Sequence, residues 1–503
     1  MNLRIILITI AIINFILPLG LTPLFDLDEG AFSEATREMI QSGNYITTYL
    51  DGALRFDKPI LIYWLQAFSV KMFGLNEFAL RLPSAIAGLA WAFFIYVFTK
   101  KEYDEKIAFY ATLFMLASLQ INIIAKAAIA DSLLNLFITT SIFSIWLYLK
   151  QQSKIYLYLS FALIALGVLT KGPVAIMVPL VTLFLYMLIK RELKEFIKIV
   201  FNPLGIVIFL IIAMPWYILE YLDQGQKFIN GFFLKHNLER FSTTLESHRG
   251  SYFYYIPVLL VGLLPFTTIL VKTIINIKSY IKDDLKLFLL IWFAFVFIFF
   301  SFSGTKLPHY IIYGYTPIFI LMGIYASNSF KKFNIELIIP TILLFIILLA
   351  LPFITSFIEP KNLYIKDILN SVNSSFGFKY LVTIIIALIL IFAIYRLKLS
   401  LIYKSAIYTL VFTITINFIV IPAYGDLVQQ PLKEAALYAK KHNLKVIRYG
   451  ITMPSFMVYL EDKSLREKPI KGNVVITKSK SLNELGEYKV LYSKNGIYLV
   501  ELK

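Results

Sequence analysis

Residues 3–21 read "LRIILITIAIINFILPLGL", and residues 25–39 read "FDLDEGAFSEATREM". The first is an apolar run of spanning length. The second places Asp26, Asp28 and Glu29 within four positions, a few residues after it. A run of roughly 20 apolar residues satisfies its backbone within a helix and crosses a bilayer. This one lacks a small-x-small cleavage pattern and many further apolar runs follow it, so it reads as a retained first helix. The junction sets the theme of the chain, a span that delivers carboxylates to a membrane boundary.

The rest of the chain repeats the apolar half of that theme. Of 503 residues, 59% are hydrophobic, and the mean hydropathy of +0.74 excludes an ordinary soluble domain. About thirteen spans are expected, near 3–21, 82–99, 107–123, 131–149, 155–169, 173–189, 202–220, 253–271, 286–303, 309–326, 335–352, 379–395 and 403–421. The formal charge of +17 does not indicate nucleic acid, because the basic residues lie in short clusters between apolar runs. Such clusters are topology signals and contacts with anionic lipid. The chain has no cysteine, which excludes disulfides and thiolate metal sites.

The connections alternate between two sides. The segments 100–106, 150–154, 190–198, 272–286, 331–332 and 396–404 together carry eighteen Lys and Arg. The short connections of the other side carry single lysines, Lys126, Lys171 and Lys306. The positive-inside rule makes the first side cytoplasmic, so the long loops 22–81, 221–252 and 353–378 and the tail lie outside. Residues 1–424 are expected to form the transmembrane domain and residues 425–503 a small outer α/β domain. In that tail "QPLKEAALYAKKH" (430–442) is helical, and "KVLYSKNGIYLVEL" (489–502) is two strands joined by Asn495-Gly496.

Ionisable residues beside spans are costly and demand a reason. Here they fall on the outer side: Asp28, Asp57, Lys58, Lys126, Asp131, Lys171, Lys306, His309, and His236 and His248 of the large loop. Singly, each has a plain alternative. Asp28 and Asp131 suit helix N-caps, with Glu29 favouring the positive helix end. Lys58 suits a snorkelling anchor, and Lys171 and Lys306 suit boundary lysines. Jointly, they point to an outer cavity. The first loop reads as two helices along the membrane surface. One follows Asp28 and stops at Gly43; the other follows Pro59, presents Leu61, Trp64, Leu65 and Phe68, and stops at Gly74.

An enzyme facing outward has no ready supply of nucleotide sugars, so its activated substrate is carried by lipid. A polyprenyl-phosphate sugar needs a greasy groove for its tail and cations such as Lys58, Lys126 or Lys306 for its phosphate. Those cations also stabilise the departing phosphate. A carboxylate at the junction of span and loop, Asp28, suits the base that takes a proton from the acceptor hydroxyl. A single displacement with inversion needs one base.

The stretch "DLDEGAFSEATREMIQSGNYITTYLDGALRFDKPILIYWLQAFSVKMFG" (26–74) resembles the first outer loop of the aminoarabinose transferases that modify lipid A. It also resembles the wider protein O-mannosyltransferase-related group of the GT-C class. The stretches "ADSLLNLF", "LTKGP", "HNLERF", "HRGSYFYYIP" and "TKLPHYIIYGYTPIFIL" add to the likeness, which runs over about residues 1–326. It implies an inverting transfer of an aminoarabinose-type pentose or a hexose from polyprenyl phosphate. The acceptor would be lipid A or another lipid or glycan on the outer face of a bacterial cytoplasmic membrane. It implies Asp28 as base or acceptor-orienting group, with Glu29 beside it, Asp131 as the second family aspartate, and Lys58 on the lipid phosphate. It also implies a divalent metal on Asp57 with His248 or His236. Asp57 replaces a family glutamate and is one methylene shorter. A protein O-mannosyltransferase-like enzyme is the alternative within the class. A lipid-linked-sugar flippase is the alternative outside it, and it would predict inverted repeats and midplane broken helices. No repeat is evident in the sequence.

Overall fold

The computed structural model describes residues 2–239, 250–329 and 333–503. Among them, nine helices are long and apolar enough to cross a membrane, from Glu77–Glu102 to Leu401–Val428. Two shorter apolar helices, α1 (Leu3–Phe15) and Val174–Lys190, have the same character. The protein is a multi-pass membrane protein whose outward faces keep large apolar side chains exposed, such as Phe93 and Phe94 or Ile218 and Leu222. Those faces suit hydrocarbon rather than water.

The segment after α1 holds α2 (Asp28–Ser42), a hairpin of β1 (Tyr49–Leu50) and β2 (Ala53–Leu54), and α3 (Leu61–Phe73). Then come α4 (Glu77–Glu102), α5 (Glu105–Ala117), α6 (Leu119–Ile124), α7 (Asp131–Gln151) and α8 (Lys154–Lys171). The Asn76 side chain caps α4 by accepting the Ala79 amide at 2.9 Å.

Two of the expected spans are broken. The run 107–123 divides at Ser118, where the backbone turns extended, into α5 and α6. The run 253–271 divides into Tyr255–Gly262 and Thr267–Ile275. A break frees backbone groups that hydrocarbon cannot satisfy, and here the two breaks serve each other. The Leu119 amide donates to the Leu264 carbonyl at 2.9 Å.

The surface-helix expectation fails for α2. Every residue from Glu29 to Met39 is buried. α2 is held against α3 on one side and against the tail helix Ser455–Leu460 on another. Small residues allow the approach: a Cβ on Gly30 would stand 2.7 Å from the Ser455 nitrogen. By contrast, α3 keeps Trp64, Phe68, Met72 and Phe73 exposed. The two expected caps also fail. Asp28 and Asp131 are first helical residues, preceded by Leu27 and Ala130, and neither caps through its side chain.

The tail forms a four-stranded sheet of order β3–β4–β6–β5: Val446–Arg448, Val474–Lys478, Ile497–Leu502 and Tyr488–Lys494. β3 runs parallel to β4, and the other pairs are antiparallel. Asn495 and Gly496 both take positive φ, 47° and 79°, as a two-residue hairpin turn requires. The helix Gln430–Lys441 buries Leu432, Ala435, Ala436 and Ala439 in one cluster with Ile476, Ile497 and Leu499.

Candidate active site

The hairpin aims the "RFDKP" stretch. At its tip, Asp51 and Gly52 take positive φ, and their amides donate to the Glu38 carboxylate of α2 at 2.5 and 3.1 Å. Beyond it, Asp57 gathers cations. Arg55 reaches it at 3.1 Å and His236 Nδ1 at 2.7 Å, while Lys58 Nζ donates to its backbone oxygen at 2.9 Å. Burial works to raise the Asp57 carboxyl, but Lys58, His236 and Arg55 overcome it and hold the group well below the usual carboxylate range. The Asp57 Oδ1 and His236 Nδ1 atoms are buried and pair with each other.

Asp131 heads α7 and is buried. Its Oδ1 accepts from Lys171 Nζ at 2.7 Å and from the Tyr313 hydroxyl at 2.8 Å, with His309 Nε2 4.0 Å away. Lys171 also stands over the rings of Tyr310 and Tyr313, at 5.6 and 5.4 Å. A cavity of about 460 Å³ brings Asp57, Lys58, Lys171 and His236 together, with Met177, Phe233 and Phe299 in its wall. Cations beside an apolar wall suit an anionic head on a hydrophobic tail.

Asp28 lines a second cavity of about 270 Å³, with Asp26, Lys126 and Asn417 and the apolar Leu19 and Ile421. Its carboxylate is exposed, and it has no hydrogen-bond or ion-pair partner among the described residues. His309 lies within electrostatic reach of Asp28 and Lys58 as well as Asp131 and Lys171, so the two groups of residues adjoin.

Glu29 is the opposite of its neighbour. It accepts Arg81 Nε at 2.8 Å and Nη2 at 2.6 Å, with the amides of Phe25 and Ala128 at 2.8 and 2.7 Å. Arg81 spends its remaining donors on the carbonyls of Leu19, Thr22 and Pro23, each at 2.8 Å. Burial tends to raise the Glu29 carboxyl, but the Arg81 guanidinium and the two amides hold it below the usual range. Glu29 therefore ties the end of the first span, α2, α4 and the 125–130 turn into one knot.

Of the expected phosphate cations, only Lys58 lines the larger cavity. Lys126 lies in the smaller one and is buried there. It donates to the backbone and side-chain oxygens of Asn14 at 3.2 and 3.1 Å and to Asn417 at 2.5 Å. Lys306 lines neither; it donates to the Ser303 carbonyl at 2.6 Å under the Tyr252 ring. Lys171, expected only in support, joins Lys58. His248 lies outside the described residues. Among the described residues no group of three or more His, Asp or Glu gathers as a metal site.

Sequence reasoning missed Arg55, Arg81, Tyr313, Asn14 and Asn417. For the two asparagines a signal existed. "AIINFIL" (11–17) and "TITINFIV" (413–420) each set one amide in an apolar span. It also missed Ser455. Asp26, read as a mere neighbour of Asp28, accepts the Ser455 amide at 3.1 Å and the Ser455 hydroxyl.

The model of the family described as dolichyl-phosphate-mannose-protein mannosyltransferase matches residues 57–219. Relatives include the undecaprenyl phosphate-alpha-4-amino-4-deoxy-L-arabinose arabinosyl transferases of Yersinia enterocolitica and Aeromonas hydrophila. They are 30% and 31% identical over 64% and 63% of this chain. In each case the match spans 59% of the relative's own length. An uncharacterized protein of Aquifex aeolicus is 30% identical over 64% of this chain and 73% of its own. The crystal structure of ArnT from Cupriavidus metallidurans bound to undecaprenyl phosphate superposes with a TM-score of 0.85. It covers 99% of this chain and 97% of that one, at 19% identity, and shows the same fold. Together with the first-loop and "LTKGP" stretches, these likenesses make the chain similar to the aminoarabinose transferases and the protein O-mannosyltransferase-related membrane proteins, and it shares the ArnT fold.

Proposed function

We propose that the protein is an inverting glycosyltransferase that moves a sugar from polyprenyl phosphate to an acceptor at the outer face of a bacterial cytoplasmic membrane. The observation that carries this reading is the larger cavity, where Lys58 and Lys171, from different elements, meet an apolar wall. A phosphate on an isoprenoid tail has that chemistry. The relatives' printed name, an undecaprenyl phosphate-aminoarabinose transferase, supports an aminoarabinose-type sugar, with a hexose as the other option.

In the proposed reaction the acceptor hydroxyl loses its proton to Asp28 as its oxygen bonds to the sugar C1 on the face opposite the phosphate. The C1–O bond to phosphate breaks, and its electron pair leaves with the phosphate. Lys58 and Lys171 neutralise the growing charge. Asp131 holds Lys171 at the cavity wall, Glu29 holds the helix that carries Asp28, and Lys126 lines the smaller cavity with Asp28. Lys306 would reach the donor phosphate only by moving from Ser303. Asp57 and His236 are the described residues that would hold a divalent cation, and the resemblance adds His248. The cation would add positive charge near the phosphate.

The orientation follows the basic clusters, which the positive-inside rule assigns to the cytoplasm. Counting the two broken helices as one crossing each, the chain crosses thirteen times, and residues 425–503 form an outer domain on a membrane domain of 1–424. The acceptor is lipid A or another lipid or glycan. The match to protein mannosyltransferases at 57–219 supports a protein hydroxyl as the second reading. Purified protein given undecaprenyl-phosphate aminoarabinose or hexose should transfer the sugar to lipid A in wild type and not in Asp28→Asn. Deletion from the host should remove the sugar's mass from lipid A. A loss confined to surface glycoprotein would favour the second reading, and unaltered transfer by Asp28→Asn would end the assignment of the base.

A further inference from the structure

The tail unit grips the segment after α1 at four places. Asp51 pairs with Arg448 and with Arg466, the latter at 2.6 Å. Glu77 pairs with Lys433 at 2.5 Å and accepts the Tyr459 hydroxyl at 3.0 Å. The same Tyr459 oxygen accepts the Leu24 amide at 2.7 Å. Asp26 accepts both donors of Ser455. Leu24 and Asp26 lie four and two residues before Asp28, and both are held by one short helix, Ser455–Leu460, more than four hundred residues away in sequence. The fit is tight, since a Cβ on Gly30 would stand 1.9 Å from Asp26 Oδ1 and 2.7 Å from the Ser455 nitrogen.

Asp28 itself has no partner among the described residues to fix it. The aim of its carboxylate is therefore set by its backbone, and the backbone just before it is set by the tail. We propose that Ser455 is a positioning residue for Asp28, acting through Asp26, so that the C-terminal α/β unit completes the catalytic site. The proposal rests on the reading of Asp28 as the base. Misplacing a base by an ångström costs rate rather than substrate binding, so the effect falls on kcat.

The test uses the full chain in detergent with undecaprenyl-phosphate aminoarabinose and lipid A as probes. Ser455→Ala should lower kcat at least tenfold, leave the donor KM within twofold, and speed amide exchange at residues 27–31. Ser455→Thr, which keeps the hydroxyl, should restore kcat. Gly30→Ala, which presses on the same contact from the other side, should lower kcat like Ser455→Ala. Lys440→Ala, which breaks an ion pair internal to the tail unit, should change nothing. Wild-type kcat in Ser455→Ala, a rise in KM to match the fall in kcat, or no rescue by threonine would overturn the proposal. If wild type transfers no sugar from this donor, the functional reading fails by itself. Exchange then decides the clamp, and unaltered exchange at 27–31 overturns it.

Discussion

Asp28 and Asp131 both head helices, both sit beside membrane spans, and both lie within electrostatic reach of His309. They differ in what surrounds the carboxylate. Asp131 is buried and spends one oxygen on Lys171 and Tyr313. Asp28 is exposed at a cavity rim, with no partner among the described residues. A carboxylate already given to a lysine and a phenol is poorly placed to take a proton from a substrate. An open one at a rim is free to do so. On the proposed reading the contrast sets Asp28, open to a substrate, against Asp131, already held by Lys171 and Tyr313.

The largest expected effect tests the open member. Asp28→Asn keeps the shape and removes the base, so kcat should fall by about 10²–10⁴ with little change in thermal stability. If stability falls and transfer survives, the comparison is inverted. Next comes the satisfied member. Asp131→Ala leaves a buried Lys171 unpaired, and unfolding free energy should fall by about 3–5 kcal/mol, read by denaturation in detergent. An Asp131→Ala protein of unaltered stability would put Asp131 with Asp28. Lys58→Ala sharpens the division between the two cavities. It should raise the donor KM about tenfold or more through loss of a charge-assisted contact, with a smaller effect on kcat. The mildest test concerns a third aspartate. Burial pushes the Asp26 carboxyl up to about 7, against the hydrogen bonds from Ser455. Between about pH 4 and 7 the folded chain then holds a proton that the unfolded chain has lost. Asp26 should make stability fall as pH rises through that window, by up to about 1.4 kcal/mol per pH unit, and Asp26→Asn should make the slope shallower by that contribution while other buried carboxyls such as Glu34 keep theirs.

Much of this was legible in the sequence, for physical reasons. Apolar runs of spanning length and basic clusters are local signals, so a multi-pass helical chain is evident by composition. The Asn495-Gly496 hairpin was legible because positive φ at both positions suits few other residues. That Asp57, Lys58, Asp131 and Lys171 come together was legible because ionisable groups beside apolar spans are costly, whereas Asp28 lines the second cavity. What one sequence does not carry is pairing over distance. Nothing near Lys171 announces Asp131, and nothing near Asp26 announces Ser455. The α2 helix misled in the same way. Its "EGAFSEATREM" looks like a solvated polar face, and it is buried because Arg81, Arg37 and the tail satisfy its acids and cover its small residues. Glu34, for instance, takes both a 2.8 Å and a 2.7 Å bond from Arg37 one turn on.

The Lys126 cluster bears on how the protein is made. The ammonium of Lys126 is satisfied by Asn14, near the beginning of the chain, and by Asn417, near its end. The Asn417 amide in turn donates to Asn14 and Asn122, at 2.9 and 3.0 Å. A polar group in hydrocarbon that lacks its partner costs several kcal/mol. During synthesis, then, the first span and the 126 turn hold only part of their final partners, the Asn417 contacts arriving nearly three hundred residues later. The last membrane helix acts as a closing latch. A chain cut short before residue 417 leaves Lys126 with Asn14 alone and Asn122 Oδ1 without the Asn417 amide.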